Sequence, residues 1–311
     1  MEGRSLSAAL RATRAPAPKL SATLPGAQGA RAPVRGAPRR ASVRAAPARR
    51  SHLARDLRVD ATSEKGQYLA DLFGGEAGLT RASKFFKVPA HTYEIERGPQ
   101  FDLCKRANLR RLCRDARERR LIASMLATPC TSWSMARNRT NVIRNRLEPW
   151  GIRFPAKPFS ERDKASLDMG NRTMRATLEL IRCFEKEGVP WCLENPATSN
   201  MWHVPQLRAL AKKSHVQLIE VDQCSFGQPW RKRTKLLFSR CDAQDVQALA
   251  DKHKCCGRRV CDYSRKEHIQ LTGSGPDGKP LTRQAQTFPS GMCRALARLL
   301  LSDHLHTRAC S

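Results

Sequence analysis

Hydrophobic residues form two alternating patterns from residue 67 onward. Short apolar runs predict strands, and between them apolar residues recur every three or four positions, which is typical of amphipathic helices. The predicted strands are residues 67–73, 91–95, 121–127, 191–195, 216–221 and 234–239. The predicted helices are residues 78–86, 105–120, 160–188, 205–213 and 288–300. This alternation predicts an α/β fold with a mostly parallel central sheet and helices on both faces.

The helix predicted over residues 160–188 has the clearest local signals. Ser160 and Asp163 have the spacing of a capping box, which satisfies backbone N–H groups at a helix start. Apolar residues then recur at helical spacing, at Leu167, Met174, Leu178, Ile181 and Phe184. We therefore expect one face of this helix to pack on the sheet.

The first 55 residues have a different composition, rich in Ala, Arg, Pro and Ser, with Glu2 as the only acid. Such a segment buries too little apolar surface to offset its ordering entropy, so we predict disorder. We divide the chain into a basic leader, residues 1–60, and one folded domain, residues 61–311. The leader has the composition of an organellar transit peptide, and a nucleic-acid-binding arm would look the same.

Charge narrows the class of partner. The chain carries 57 Lys and Arg against 28 acidic residues, a formal net charge of +29. Residues 1–55 hold eleven Arg and one Lys against one Glu, so +11 lies there and +18 remains for the rest. This excess favours a polyanionic partner, first of all a nucleic acid. No run of about 18 apolar residues occurs, so we expect no membrane span.

The first chemistry-bearing segment is a glycine-rich turn between the first strand and its helix, at residues 71–79. Glycines at such a turn permit positive φ and a close approach of the backbone to a ligand. The turn lacks the Lys-Ser/Thr pair of a phosphate-binding loop. Glu94 ends the next strand, where a carboxylate can bind a ribose hydroxyl or simply be solvated.

Three further segments follow predicted strands. Cys130 comes after residues 121–127, Glu194 lies in the strand 191–195, and Arg231 and Arg233 lie on one side of an extended segment. Taken singly, the thiol could be buried packing, the carboxylate a surface acid, and the arginines a solvated face. In open α/β sheets, however, ligands bind outside the carboxyl ends of the strands.

In this order, the motifs DLFGGEAGL, PC, EN and QPWRKR resemble those of the DNA (cytosine-5) methyltransferases. The resemblance covers residues 67 to about 300. It implies a Rossmann-like methyltransferase fold for residues 61–311 and transfer of a methyl group from S-adenosylmethionine to carbon 5 of cytosine in DNA. By the resemblance, Cys130 is the nucleophile, Glu194 binds the cytosine edge, and Arg231 and Arg233 position the base. The implied cofactor-binding residues are Asp71, Phe73, Gly74, Gly75, Gly78, Leu79, Glu94 and Pro129.

The sequence departs from the family pattern at a few positions. Ala77 replaces a glycine, Thr128 replaces a proline, and Trp230 replaces the glutamine that opens the arginine motif. Residues 240–285 form only a short basic insert where family members that read several base pairs carry a long recognition region. We therefore expect sequence selectivity to be loose or to be supplied elsewhere.

The insert also contains Cys255, Cys256, Cys261 and His268, which with His253 are the weak candidates for a zinc site. Their spacing fits no standard zinc finger, so free thiols on a basic loop are the favoured interpretation and we predict no metal.

Three functional hypotheses remain open. The favoured one is a DNA cytosine-5 methyltransferase, and RNA cytosine would need little change in the residues named. The second is a catalytically inactive relative that binds nucleic acid. The third is a zinc-dependent nucleic-acid module on an unrelated α/β fold. A DNA substrate suits the nucleus, and the acid-poor leader suits a mitochondrion or plastid.

Overall fold

The computed structural model describes residues 66–135, 141–275, 278 and 280–309. The expected leader, residues 1–60, and any targeting signal in it lie outside the described residues. Within the described part, the α/β class is confirmed.

Six strands form one sheet in the order β2-β1-β3-β4-β6-β5. Their bounds are β1 Tyr68–Leu72, β2 Ala90–Tyr93, β3 Leu121–Leu126, β4 Trp191–Pro196, β5 Val216–Asp222 and β6 Arg233–Ser239. Strands β1 to β4 pair in parallel, whereas β6 runs antiparallel to both β4 and β5. The sheet is therefore mixed. Residues 223–232, which connect β5 to β6, are too few for the crossover that a parallel neighbour needs.

The helices are α1 Gly78–Ser83, α2 Arg106–Arg117, α3 Glu161–Glu187, α4 Pro205–Leu210, α5 Ala243–Lys252, α6 Leu281–Gln284, α7 Ser290–Leu300 and α8 Ser302–Ala309. Helices α2, α3 and α4 share one core cluster with the sheet, and α1, α5 and α7 share a second. Neighbouring residues of β1 divide between the two clusters, since Ala70 belongs to the first and Leu69 to the second. Helices therefore cover both faces of the sheet, as expected from the sequence.

Helix α3 begins as the capping pattern predicts. The backbone N–H of Asp163 donates to Ser160 Oγ at 3.2 Å, and the backbone N–H of Ser160 donates to Asp163 Oδ2 at 3.2 Å. The helix ends at Gly188, which has φ 75°. Its 27 residues span about 40 Å, long enough to reach from one end of the strands to the other.

The structure adds two local features to the sequence prediction. Helix α5 lies inside residues 240–285, the segment expected to be a short basic insert. Helix α1 ends at Ser83, and a 3₁₀ turn over Lys84–Phe86 follows it directly. Among the residues described, none of the helices has the length and apolar character needed to cross a membrane.

Candidate active site

The strand order changes direction at β1. The chain passes from β1 to β2 on one side and returns through α2 to β3 on the other side. Such a switch point leaves a crevice at the carboxyl ends of the strands. The loops after β1 and β3 leave the sheet side by side, because Ala127 N donates to Leu72 O at 2.9 Å.

The loop after β1 has a constrained backbone. Phe73, Gly75 and Ala77 have φ values of 55°, 46° and 54°, in the left-handed region. A methyl group on Gly74 would lie 2.7 Å from Asp71 Cγ, so only glycine fits there. A left-handed residue with a side chain costs about 1–2 kcal/mol. Ala77 therefore keeps the backbone conformation of a glycine even though it departs from the glycine motif.

Asp71 is buried at the end of β1 and anchors the start of α1. Its Oδ2 accepts hydrogen bonds from Thr80 N and Thr80 Oγ1, both at 3.2 Å. Burial raises the pKa of Asp71 to about 6, against the opposing effects of the Thr80 hydrogen bonds and of Arg97 and Arg81. The Asp71 side chain thus fixes the start of α1 at the end of the loop after β1.

Glu94 lies at the end of β2, beside the same loop. Its Oε2 accepts a hydrogen bond from Gly75 N at 3.1 Å, and Arg97 donates to Gly75 O at 3.1 Å. Glu94, which the resemblance places at the cofactor ribose, therefore contacts the glycine loop that would bind the same cofactor.

The other predicted cofactor residues have different surroundings. A methyl group on Gly78 would lie 2.8 Å from Cys293 Sγ, so this glycine allows α1 to pack closely on α7. Leu79 is buried in the core cluster that α1 shares with α7. Pro129 is exposed in the loop after β3.

Two hydrogen bonds fix the loop that carries Cys130. Asn195 Nδ2 donates to Thr128 O at 2.7 Å, which ties the loop to β4. The hydroxyls of Thr128 and Thr177 are 2.7 Å apart, which ties it to α3. Cys130 O accepts from Ser134 N at 2.8 Å, closing a turn that holds the half-buried thiol. The threonine that departs from the family pattern thus has a structural role.

Glu194 is buried near the carboxyl end of β4. Its Oε1 has no hydrogen-bond partner among the described residues, and the ammonium of Lys232 lies 4.0 Å from this oxygen. Lys232 also donates to Ala285 O at 2.9 Å and lies 5.8 Å from the ring centre of Phe288. Ala285 and Phe288, which precede α7, therefore position the Lys232 ammonium near the Glu194 carboxylate.

Burial and nearby charges shift the pKa values of Glu194 and Cys130. Burial raises the pKa of the Glu194 carboxyl, and Lys232 partly opposes this. Burial also raises the pKa of the Cys130 thiol, the charge of Glu194 raises it further, and Lys232 lowers it. The structure thus brings a thiol, a carboxyl and an ammonium from three chain segments into one electrostatic unit.

The two predicted arginines make other contacts. Arg231 Nε donates to Asp222 Oδ1 at 3.2 Å, and the half-exposed Arg233 pairs with Glu220. Both acids belong to β5. In the described part of the chain, the cation whose charge acts on Cys130 is Lys232, which lies between the arginines in the sequence.

Sequence reasoning missed Arg144. This buried side chain donates five hydrogen bonds, and its guanidinium lies 3.7 Å from the ring centre of Trp133. The acceptors are Ser132 O and Oγ, Pro149 O, Leu167 O and Asn171 Oδ1. Arg144 therefore supports the loop just after Cys130. Its segment has no hydrophobic period or motif that could have revealed this.

Three of the five weak metal candidates meet at a second location, whereas His253 lies outside it, with Nδ1 3.0 Å from Ser225 Oγ. Cys255, Cys261 and His268 are buried together with Cys224, and their ligand atoms all lie within 4.8 Å of one another. Cys256 is exposed. Cys224, which the sequence analysis did not include, comes from the 3₁₀ turn after β5.

No protein-family model, curated protein or solved structure matches this chain. A half-buried thiol can act as a nucleophile, a buried carboxyl with a raised pKa can donate a proton, and a nearby ammonium can stabilise negative charge.

Proposed function

We propose that this protein transfers a methyl group from S-adenosylmethionine to carbon 5 of cytosine in DNA, through a covalent bond to Cys130. The observation that carries the proposal is the position of Cys130 and Glu194 at the carboxyl ends of the parallel neighbours β3 and β4. Asn195 ties the two ends together through its hydrogen bond to Thr128 O at 2.7 Å, and Lys232 lies 4.0 Å from the Glu194 carboxylate. The order of the DLFGGEAGL, PC and EN motifs supports the same chemistry.

Cytosine needs both of these groups. Carbon 5 is too weakly nucleophilic to take a methyl group directly, so the Cys130 thiolate first adds to carbon 6 and electron density moves to carbon 5. Glu194 in its protonated form, which burial favours by raising its pKa, donates a hydrogen bond to the ring nitrogen and makes carbon 6 more electrophilic. Methyl transfer would leave S-adenosylhomocysteine. Water then accepts the proton from carbon 5, and the bond between sulfur and carbon 6 breaks to return the Cys130 thiolate.

The resting thiol is protonated at neutral pH, because its pKa is above the ordinary value. Glu194 in its charged form opposes ionisation of Cys130, and Lys232 favours it. Sharing a proton between Glu194 and the base would remove negative charge beside the sulfur. Substrate binding and activation of the nucleophile are thus coupled.

The loop after β1 fits a cofactor with a ribose and a positive sulfonium centre. Gly74 leaves no room for a side chain, and the backbone at Phe73 and Gly75 is left-handed. Glu94 offers carboxylate oxygens at the edge of this loop. S-adenosylmethionine would supply the electrophilic methyl group, and these residues would hold it.

The topology supports the finer fold assignment. Five strands share one direction, with the switch point at β1, and the reversed strand β6 lies between β4 and β5. A Rossmann-like methyltransferase fold places its cofactor at such a switch point. The net charge of +29 favours a nucleic-acid substrate, and the target base would have to leave the stack to reach a half-buried thiol.

A DNA duplex containing 5-fluorocytosine tests the proposal, because fluorine cannot leave carbon 5 as a proton does. Incubation with S-adenosylmethionine should give a denaturation-resistant complex, detected by gel shift and mass spectrometry at Cys130. Cys130→Ser should abolish the complex, whereas Cys256→Ser, which removes an exposed thiol, should leave it unchanged.

The alternatives give distinct results. Salt-sensitive DNA binding without any covalent complex would overturn the catalytic proposal and leave a nucleic-acid-binding protein. A complex that persists in Cys130→Ser would overturn the assignment of the nucleophile. A complex with 5-fluorocytosine RNA and none with DNA would move the activity to RNA.

A further inference from the structure

The segment 254–275 has almost no apolar core. Within it, only Cys255, Cys261 and His268 are buried. Of its larger apolar residues, Val260, Tyr263 and Ile269 are 43% to 49% exposed, and Leu271 is half-buried. The segment contains isolated bridges but no strand or helix. Hydrophobic burial therefore does not explain why this loop has a defined conformation.

The three buried residues meet Cys224 in a compact group. All four ligand atoms lie within 4.8 Å of one another, and Cys255 Sγ is 3.7 Å from His268 Nε2. Ligands about 2.0–2.3 Å from a tetrahedral zinc ion lie about 3.3–3.8 Å from each other. The group is therefore close to the dimensions of a four-ligand zinc site.

Simple packing explains these residues poorly. The three cysteines form a cluster of their own, separate from both main cores. His268 Nδ1 has no hydrogen-bond partner in the part of the chain that the structure describes. A buried imidazole is costly unless its nitrogens are satisfied. A disulfide would use two of the thiols and leave the third thiol and the imidazole unexplained.

We propose that Cys224, Cys255, Cys261 and His268 bind one structural zinc ion as three thiolates and one imidazole. Zinc is favoured over magnesium or calcium, which prefer oxygen ligands. All four positions of a tetrahedral ion are filled by protein, which is typical of structural rather than catalytic zinc.

Such an ion would fix the loop against the segment that carries Lys232. Asp222 Oδ2 accepts from Cys255 N at 2.8 Å, and its Oδ1 accepts from Arg231 Nε. Arg231 also donates to Gly257 O at 3.1 Å. The zinc site, Asp222 and Arg231 together connect the end of β5, the start of β6 and the loop.

The zinc would also display a cluster of positive charge. The exposed basic residues of this loop are Lys254, Arg258, Arg259, Arg265 and Lys266. A loop that is already ordered loses less conformational entropy when it contacts a phosphate backbone. The proposed role of the metal is therefore to pre-order a basic surface beside the candidate active site.

Metal analysis of the full-length protein, purified in reducing buffer without chelator, tests the proposal independently of any activity. After exposure to zinc chloride and dialysis, we expect about one zinc ion per chain. X-ray absorption at the zinc edge should show three sulfur ligands and one nitrogen ligand. Less than one tenth of an equivalent of zinc, or a ligand shell rich in oxygen, would overturn it.

Variants locate the ligands. Cys255→Ser and Cys261→Ser should each lower the bound zinc at least tenfold, whereas Cys256→Ser, at the neighbouring exposed position, should retain it. His268→Cys keeps four ligands and should retain zinc with four sulfur neighbours. Equal zinc loss in Cys255→Ser and Cys256→Ser would contradict the ligand set.

Limited proteolysis gives a local readout. Trypsin cuts after Lys and Arg, so chelation should accelerate cleavage within residues 254–268 at least tenfold, while cleavage elsewhere changes little. Identical cleavage patterns with and without chelator would show that no metal orders the loop.

Discussion

Glu185 of α3 contacts the start of β4, and Glu194 lies near the other end of that strand. The two carboxyl groups differ in how well their oxygens are hydrogen-bonded. Four side chains donate to the Glu185 carboxylate, namely Trp191, Lys213, His215 and Ser239. Burial acts to raise the pKa of Glu185, but these hydrogen bonds outweigh it and hold the pKa at about 2. Glu194 is buried, one of its oxygens has no hydrogen bond from the residues that the structure describes, and its pKa is raised.

This difference separates a structural carboxylate from a functional candidate. A satisfied carboxylate stabilises the fold, because its charged form is better bound in the folded state than in water. A buried carboxylate without enough partners costs stability, and such groups cluster at sites where a ligand completes the hydrogen bonding. The contrast predicts which substitutions affect activity and which affect folding.

The largest expected effect is on catalysis. Glu194→Gln removes the proton donor and should lower the rate of covalent complex formation by about 10²- to 10⁴-fold. Its free energy of unfolding should be unchanged or slightly higher, because an under-satisfied charge is gone. The rate follows from single-turnover trapping with 5-fluorocytosine DNA, and the stability from urea unfolding.

Glu185→Gln is the matched control. It should keep the trapping rate within a few-fold and lower the free energy of unfolding by about 2 kcal/mol, since hydrogen bonds to a charged group are lost. If Glu194→Gln destabilised the protein as much as Glu185→Gln did, the distinction between the two carboxylates would fail.

The next effect concerns a satisfied buried cation. Arg144→Met should lower the free energy of unfolding by about 3–5 kcal/mol, because the acceptors around the guanidinium lose their donors. Arg146→Met, at a nearby exposed arginine, should change it by less than about 0.5 kcal/mol. Comparable losses in both variants, measured by urea unfolding, would contradict the structural role of Arg144.

The smallest effect is a pH dependence of opposite sign at two carboxyls. Folding raises the pKa of Asp71 from 3.8 to about 6, so the folded state holds this proton more tightly. The contribution of Asp71 therefore favours folding at low pH and is lost as the pH rises through 4 to 6, at a slope of at most about 1.4 kcal/mol per pH unit. Folding lowers the pKa of Glu185 from 4.5 to about 2, so its contribution is present above pH 4.5 and is lost as the pH falls.

Difference curves isolate these contributions. The stability of the wild type minus that of Asp71→Asn should fall with rising pH between pH 4 and 6. The corresponding difference for Glu185→Gln should rise between pH 3 and 4.5. Urea unfolding across pH 3–7 measures both, and slopes of the same sign would refute the assigned environments.

Much of the fold was predictable because its signals are local. Short apolar runs predicted the six strands, and the capping-box spacing of Ser160 and Asp163 predicted the start of α3. The proximity of Cys130 and Glu194 followed from a simple rule, that the carboxyl ends of parallel neighbouring strands lie together. The direction of β6 was not predicted, since periodicity does not encode strand direction.

Other site residues depend on side-chain direction or distant contacts. Successive residues of an extended segment point to opposite sides, and the sequence does not reveal which side faces the site. Lys232 was therefore missed between Arg231 and Arg233. Cys224 was missed because it lies far along the chain from Cys255, on a turn whose position only the folded sheet defines.

Helix α3 contacts two parts of the sheet region, the loop of Cys130 and the start of β4. Its Thr177 meets the loop of Cys130, and its Glu185 binds the opposite end of β4. One residue inserted between these positions would rotate one contact relative to the other by about 100°. The stretch between Thr177 and Glu185 can therefore tolerate many changes of residue type on its solvent side but no change of length. The separation of eight residues between these two positions fixes the distance between the two contacts along α3.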